Sequence, residues 1–263
     1  MTIITSPQNP KIRYVIGLRD RRERLQSGLA LVEGHDELSL ALASGITPTE
    51  LFFCPALFRD PAERDLLNRL AHTRLIEVDE RVFQKIAYRE NPDGWLATVP
   101  LPQKSLDELT LSPAPFIVIA EGVEKPGNLG AMLRTADAAG VDAVIASDPL
   151  TDWGNPNVVR ASKGTLFTVQ VAEGRHAEIG TWLKGRGIQS VVATPDATLP
   201  FTQADFTKPI AIVMGTEHEG VSEAWLRAAD ISVSIPMFGK VNSLNVSAAA
   251  ALMMYEVVRQ RRS

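Results

Sequence analysis

The sequence predicts an α/β protein whose C-terminal half is a mainly parallel sheet covered by helices, preceded by a smaller α/β unit. Two observations carry this reading. Beyond Pro115, short and almost purely apolar runs at 116–120, 141–146, 191–194 and 210–214 alternate with helical segments, the pattern of strands buried on both faces. Upstream, Pro100, Pro102, Pro113 and Pro115 bracket a polar stretch from Gln103 to Ser112, whose fixed backbone angles and missing N–H groups suit a linker. The expected division is 1–99, a linker at 100–114, and 115–263. No internal repeat or low-complexity tract interrupts it.

The first unit opens on a basic segment. Between Lys11 and Gln26 stand Lys11, Arg13, Arg19, Arg21, Arg22 and Arg24 against Asp20 and Glu23, a local excess of positive charge in a chain of net charge −4. The segment suits phosphates; it equally suits a solvated amphipathic helix with Ile12, Val15 and Ile16 turned inward, and the residues alone leave both readings open. A strand at 29–32, a helix at 37–43 and strands at 51–54 and 94–99 follow.

In the second unit, run 116–120 leads into Glu121-Gly-Val-Glu-Lys-Pro-Gly-Asn-Leu-Gly130 and then a helix. Its Leu129, Met132, Leu133 and Ala136 form one apolar stripe, with Asn128 expected as N-cap and Gly140 as the C-terminal stop. Arg134 points away from that stripe, and on this loop alone a surface arginine is the plainer reading. The glycine spacing does not fit a dinucleotide fingerprint. After 210–214 comes Gly215-Thr-Glu-His-Glu-Gly220, where two glycines bracket acidic residues at the place a parallel sheet binds ligands, and Glu217 offers a carboxylate. An alternating run at 231–235 precedes a loop and a helix to about 259, with Val246, Ala249, Ala250, Met253 and Val257 inward. Ser243, Asn245 and Ser247 crowd its start, more capping groups than one helix needs.

Composition excludes several classes. The chain has 263 residues, 45% of them hydrophobic, enough for a real core. No run approaches the roughly 18 to 20 apolar residues of a membrane span. Residues 1–10 lack the basic-then-apolar order of a secretory signal, so a cytoplasmic location is expected. The single cysteine, Cys54, excludes an internal disulfide and is expected as a reduced, half-buried thiol. His35, His72, His176 and His218 are scattered without metal-ligand spacing, so no metal is expected.

Together the three loops resemble the signature of the SpoU group of ribose methyltransferases in the SPOUT superfamily, over roughly 116–259. The first motif is matched by Asn128-Leu-Gly-Ala-Met-Leu-Arg134 with Gly140, the second by Met214-Gly-Thr-Glu-His-Glu-Gly220, and the third by Ile235-Pro-Met with Ser243-Leu-Asn-Val-Ser247. The resemblance implies a deep trefoil knot, a homodimer with active sites at the interface, and S-adenosyl-L-methionine held by the backbone around Gly215, Ile235 and Leu244. Met214, Gly220, Met237 and Ala193 or Thr194 lie beside them. It implies a catalytic set of Asn128, Arg134, Glu217, Ser243 and Asn245. The N-terminal portion, with Asn9-Pro-Lys-Ile-Arg13 and Leu31-Val-Glu-Gly34, is similar to the ribosomal-protein-like RNA-binding domain attached to many of these enzymes. That tips the basic segment (Lys11, Arg13, Arg19, Arg21, Arg22) toward RNA contact and favours ribosomal over transfer RNA. Arg160 and Ser162, after Asn155-Pro-Asn157, either line the RNA side or cap a helix beginning near Val158. Base methylation, transfer-RNA methylation and a catalytically silent RNA-binding protein are the rival readings.

Overall fold

The computed structural model of the chain describes residues 3–70, 73–216 and 219–262. It divides into two compact units, residues 1–102 with 152–168, and residues 103–151 with 169–263.

The first unit contains α1 (Pro10–Gly17), α2 (Arg21–Ser27), β1 (Leu29–Glu33), α3 (His35–Ala43), β2 (Glu50–Phe53), α4 (Asp65–Asn68), β3 (Arg74–Glu77), α5 (Glu80–Ile86) and β4 (Trp95–Pro100). Its sheet has the order β1-β4-β2-β3, with β4 antiparallel to β1 and β2, and β2 parallel to β3. Ile12, Val15, Leu31, Phe52, Val82, Phe83 and Leu96 pack its core. Cys54 belongs to this core at 2% exposure rather than half-buried, and burial pushes its thiol pKa up, the environment of an inert cysteine.

The basic segment is two helices rather than one. Asp20 accepts from the Arg22 N–H at 2.8 Å and so starts a new helix, which Gly28 ends in a left-handed conformation. Its cations are divided accordingly. Arg24 is 1% exposed and donates to both carboxylate oxygens of Asp152 at 2.9 and 2.6 Å. This bidentate pair holds residues 152–168, with their helix α7 (Pro156–Ser162), in the first unit.

Glu33, at the end of β1, accepts from the backbone N–H groups of Tyr88 and Arg89. Burial raises its carboxyl above the usual range, outweighing those hydrogen bonds and the Arg89 charge. A folded pKa above the unfolded value means the folded state holds the proton more tightly. Its contribution to stability is therefore full below the unfolded value and is lost as pH rises through the folded one. Urea unfolding measured from pH 4 upward is expected to show that decline, and Glu33→Gln is expected to flatten it.

The second unit contains β5 (Gln103–Lys104), β6 (Phe116–Glu121), α6 (Pro126–Ala139), β7 (Ala143–Ser147), β8 (Gln170–Gly174), α8 (His176–Gly185), β9 (Gln189–Ala193), β10 (Ile210–Met214), α9 (Glu223–Ala228), β11 (Ile231–Val233) and α10 (Val246–Arg261). Seven strands form one sheet in the order β11-β9-β10-β6-β7-β8-β5, every neighbouring pair parallel. The central strands β6, β7 and β10 are buried along their whole length, as the apolar runs require. Part of the expected linker is structured: β5 pairs with β8, and Leu109 is buried in the core. Side chains rather than apolar periodicity fix this stretch, since Gln170 Nε2 donates to the Thr110 carbonyl and Asp142 accepts from the Ser112 N–H. Among the described residues no helix is long and apolar enough to cross a membrane.

Candidate active site

Parallel strands deliver their following loops to one edge of the sheet. In this sheet β11, β9 and β10 are adjacent, and Val233 lies in register with Ala193 while Val213 lies in register with Val192. The loops after these three strands therefore leave side by side. They carry Ala193 and Thr194; Met214, Gly215 and Gly220; and Ile235, Met237 and Leu244. The Thr194 N–H donates to the Val233 carbonyl at 2.9 Å, tying the first loop to the third.

The described residues of the loop after β10 close tightly on one another. Thr216 N–H donates to the Gly220 carbonyl at 2.9 Å, and Glu219 N–H to Thr216 Oγ1 at 3.0 Å. A Cβ on Gly215 would stand 2.1 Å from the Gly220 carbonyl carbon and oxygen, so only glycine fits there. Its neighbour Met214 is buried, while Gly220 is half-buried. Glu217 and His218, like His72, lie outside the described residues, so the carboxylate expected from Glu217 has no described position. The loop after β11 instead exposes apolar side chains, Phe238 at 97% and Leu244 at 39%. A glycine-tight backbone turn beside uncovered apolar groups fits a flat, partly apolar ligand bound through main-chain groups, as an adenosyl moiety would be.

Asn128 and Asn245 meet. Asn245 caps α10, its Oδ1 accepting from the N–H groups of Ser247 and Ala248 at 3.0 and 3.4 Å, while its Nδ2 donates to Asn128 Oδ1 at 3.2 Å. Asn128 is not the cap of α6. Lys125 takes that position and Pro126 opens the helix, because a proline without an N–H suits the first helical turn. Freed from capping, the Asn128 amide bridges to α10. Gly140 closes α6 in the left-handed conformation as expected. Replacing Asn245 with Ala removes both a cap and this bridge, each about 1 kcal/mol. On the resemblance to ribose methyltransferases, a fall in methylation of about thirtyfold is expected at unchanged RNA affinity, measurable by tritium incorporation beside filter binding.

Neither Ser243 nor Arg134 hydrogen-bonds to this bridge among the described residues. Ser243 is exposed and makes no side-chain hydrogen bond among the described residues. Arg134 is also exposed. It sits six residues beyond Asn128 on α6, about 9 Å along the axis and back from the loop edge.

Sequence reasoning missed Glu121. It ends β6, is 7% exposed, and accepts from the Ser222 N–H at 2.9 Å, anchoring the far side of the Gly215–Gly220 turn. Its signal was a carboxylate closing an apolar run, a costly place for an unpaired charge.

Of the expected RNA-contacting cations, Arg13, Arg21, Arg22 and Arg160 are exposed. Lys11 is paired with Glu50, and Arg19 donates to the carbonyls of Lys85, Ile86 and Ala87. Those two are committed to the fold, because the C-terminal carbonyls of α5 need donors and a half-buried Glu50 needs a counter-charge. Arg160 lies inside α7, which Asn155 caps, so neither Arg160 nor Ser162 is a cap. Among the described residues no group of three His, Cys, Asp or Glu side chains is placed to hold a metal ion.

The family model described as the SpoU rRNA Methylase family matches residues 115–255, and the MRM3-like substrate binding domain matches residues 9–97. The 23S rRNA (uridine(2479)-2′-O)-methyltransferase of Streptomyces viridochromogenes is 31% identical over 94% of this chain and 88% of its own length. Among solved structures, an RNA 2′-O ribose methyltransferase is 39% identical with a TM-score of 0.86, covering 100% of both chains. The SpoU methyltransferase AviRb from Streptomyces viridochromogenes, solved in complex with the cofactor AdoMet, is 30% identical with a TM-score of 0.91, over 97% of this chain and 99% of that one. With its methylase match spanning more than half of the sequence and such relatives matching nearly all of it, the chain belongs to the SpoU rRNA methylase family.

Proposed function

We propose that this protein methylates a ribose 2′-hydroxyl of ribosomal RNA, with S-adenosylmethionine as methyl donor and no metal. The single observation that carries the reading is the Asn245–Asn128 bridge beside three adjacent strand-end loops, in a chain whose relatives are named 23S rRNA 2′-O-methyltransferases. When bound, the donor supplies an electrophilic methyl carbon on a sulfonium. Gly215, Ile235 and Leu244 would hold it, with Met214, Gly220, Met237, Ala193 and Thr194 alongside.

The chain's own residues have two tasks, to align the hydroxyl and to make it more nucleophilic. Arginine is a poor base because its guanidinium stays protonated. In this reading Arg134 clamps the adjacent phosphate and the ribose oxygen and stabilises the charge that develops there, while a phosphate oxygen or water takes the proton. Asn128 and Glu217 orient it, and Ser243 and Asn245 fix the loop and the ribose. Because Arg134 lies back along α6 from the loops of its own chain, it serves the site of a second copy, and the working form is a homodimer. The membership of the SpoU family carries the further reading that the chain is threaded as a trefoil knot. Residues 1–99 form the RNA-binding domain, 115–263 the methyltransferase domain, and the location is cytoplasmic.

Mass spectrometry of nucleosides from ribosomal RNA incubated with the purified protein and S-adenosylmethionine tests the reaction. A 2′-O-methylnucleoside is the expected product; a base-methylated nucleoside or no product overturns the proposal.

A further inference from the structure

Helix α7 and its C-cap carry a short row of polar side chains within the first unit: Asn157 is half-buried, Arg160 and the C-cap residue Lys163 are exposed, and Val158, Val159 and Ser162 turn into the core. Arg160 and Lys163 are both exposed, and neither is paired with a carboxylate among the described residues. Lys163 holds a φ of 56°. That left-handed conformation is disfavoured for a side chain of this kind, so an uncharged glycine would sit there more comfortably. Strain retained at an exposed cation points to a use for the charge.

Beside this row stands Tyr88. Its ring is 38% exposed, and its hydroxyl accepts from Asn157 Nδ2 at 2.9 Å. The Arg19 guanidinium lies 5.8 Å from the ring centroid, and the Glu33 carboxylate fixes the backbone below through the Tyr88 and Arg89 N–H groups. The ring is thus held in place while part of its surface stays open. Tyr88 and Arg160 also line one small cavity, which makes them neighbours. A fixed aromatic plane next to unpaired cations is what single-stranded RNA needs, since a base stacks on the ring and phosphates meet the charges. Residues three apart on a helix lie about 5–6 Å apart, near enough to serve adjacent phosphates.

We propose that Tyr88 and the Asn157, Arg160 and Lys163 side of α7 form a contact site for single-stranded RNA, with a nucleobase on Tyr88 and adjacent phosphates on Arg160 and Lys163. This rests on the RNA-methyltransferase reading and refines its partner. It assigns substrate contact to a helix that lies within the methylase match at 115–255 yet packs with the first unit.

The test is fluorescence anisotropy of the full-length protein with a fluorescein-labelled mixed-sequence single-stranded RNA of about 20 nucleotides, titrated between about 50 and 200 mM salt, the range over which phosphate contacts are read. Arg160→Gln and Lys163→Gln are each expected to weaken binding about three- to tenfold and to reduce the salt slope by about 0.7. Tyr88→Ala is expected to weaken it about tenfold with the slope unchanged, whereas Tyr88→Phe keeps the affinity. All four sit at exposed positions, and unchanged thermal melting identifies folded variants. Wild-type affinity in both glutamine variants, an equal Tyr88→Ala loss on a duplex of the same length, or no binding by the wild type would overturn the site. Tritium transfer to ribosomal RNA by the wild type separates the two readings. Methylation with unaltered binding in the variants defeats only this site; variant binding losses without any wild-type methylation defeat only the reaction.

Discussion

Gly215→Ala is expected to lower S-adenosylmethionine affinity at least a hundredfold while the rest of the second unit stays folded. The cause is space rather than backbone conformation. A methyl group at 215 would stand 2.1 Å from the Gly220 carbonyl carbon and oxygen and 2.3 Å from the Val221 nitrogen. These are main-chain atoms, so no side chain can swing aside. The turn can open only by breaking the Thr216 to Gly220 hydrogen bond and straining the Ser222 N–H on Glu121. Overpacking of this kind typically costs about 1–3 kcal/mol, and a cofactor held by backbone groups loses its registered partners together. Gly180→Ala is the control, because nothing lies within 4 Å of its added methyl and alanine favours a helix by about 0.5–1 kcal/mol. Isothermal titration calorimetry with S-adenosylmethionine, beside thermal melting, reads both. Near-normal affinity in Gly215→Ala would mean the donor does not bind against this turn.

The parallel sheet was legible because its strands are buried on both faces, and an apolar run such as 210–214, too short for a buried helix and rich in β-branched residues, suits such a strand. The loops were legible because ligand sites follow strand ends. What escaped was settled by side chains acting over long sequence distances. Arg24 reads as one more charge in a basic cluster, and nothing local reveals that Asp152, 128 residues on, buries it. The same pair draws 152–168 into the first unit, so a boundary placed by prolines alone could not include that segment. Asparagine has the right chemistry for a cap, which makes Asn128 the expected one; Pro126 two residues earlier is the competing signal, and it prevails. The division of Lys11, Arg19 and Arg24 among Glu50, helix carbonyls and Asp152 shows why a count of cations overstates a phosphate-binding surface.

Arg134→Ala is expected to reduce methylation about 10²- to 10³-fold, the usual consequence of removing a group that stabilises developing charge on oxygen, with S-adenosylmethionine affinity within about twofold of wild type. This guanidinium is exposed on α6, so its removal leaves the core packing untouched, and single-turnover rates beside calorimetry separate chemistry from binding. Its position makes a sharper test available. If Arg134 completes the site of a second copy, then in a dimer pairing Arg134→Ala with Asn245→Ala one site receives both defects and the other receives neither. Random mixing makes about half of all dimers hybrid, each with one intact site of two. Co-refolding the two variants is then expected to restore about a quarter of wild-type activity, far above either variant alone. Were Arg134 to act on its own chain's loops, every site in the mixture would carry one defect, and no recovery would follow.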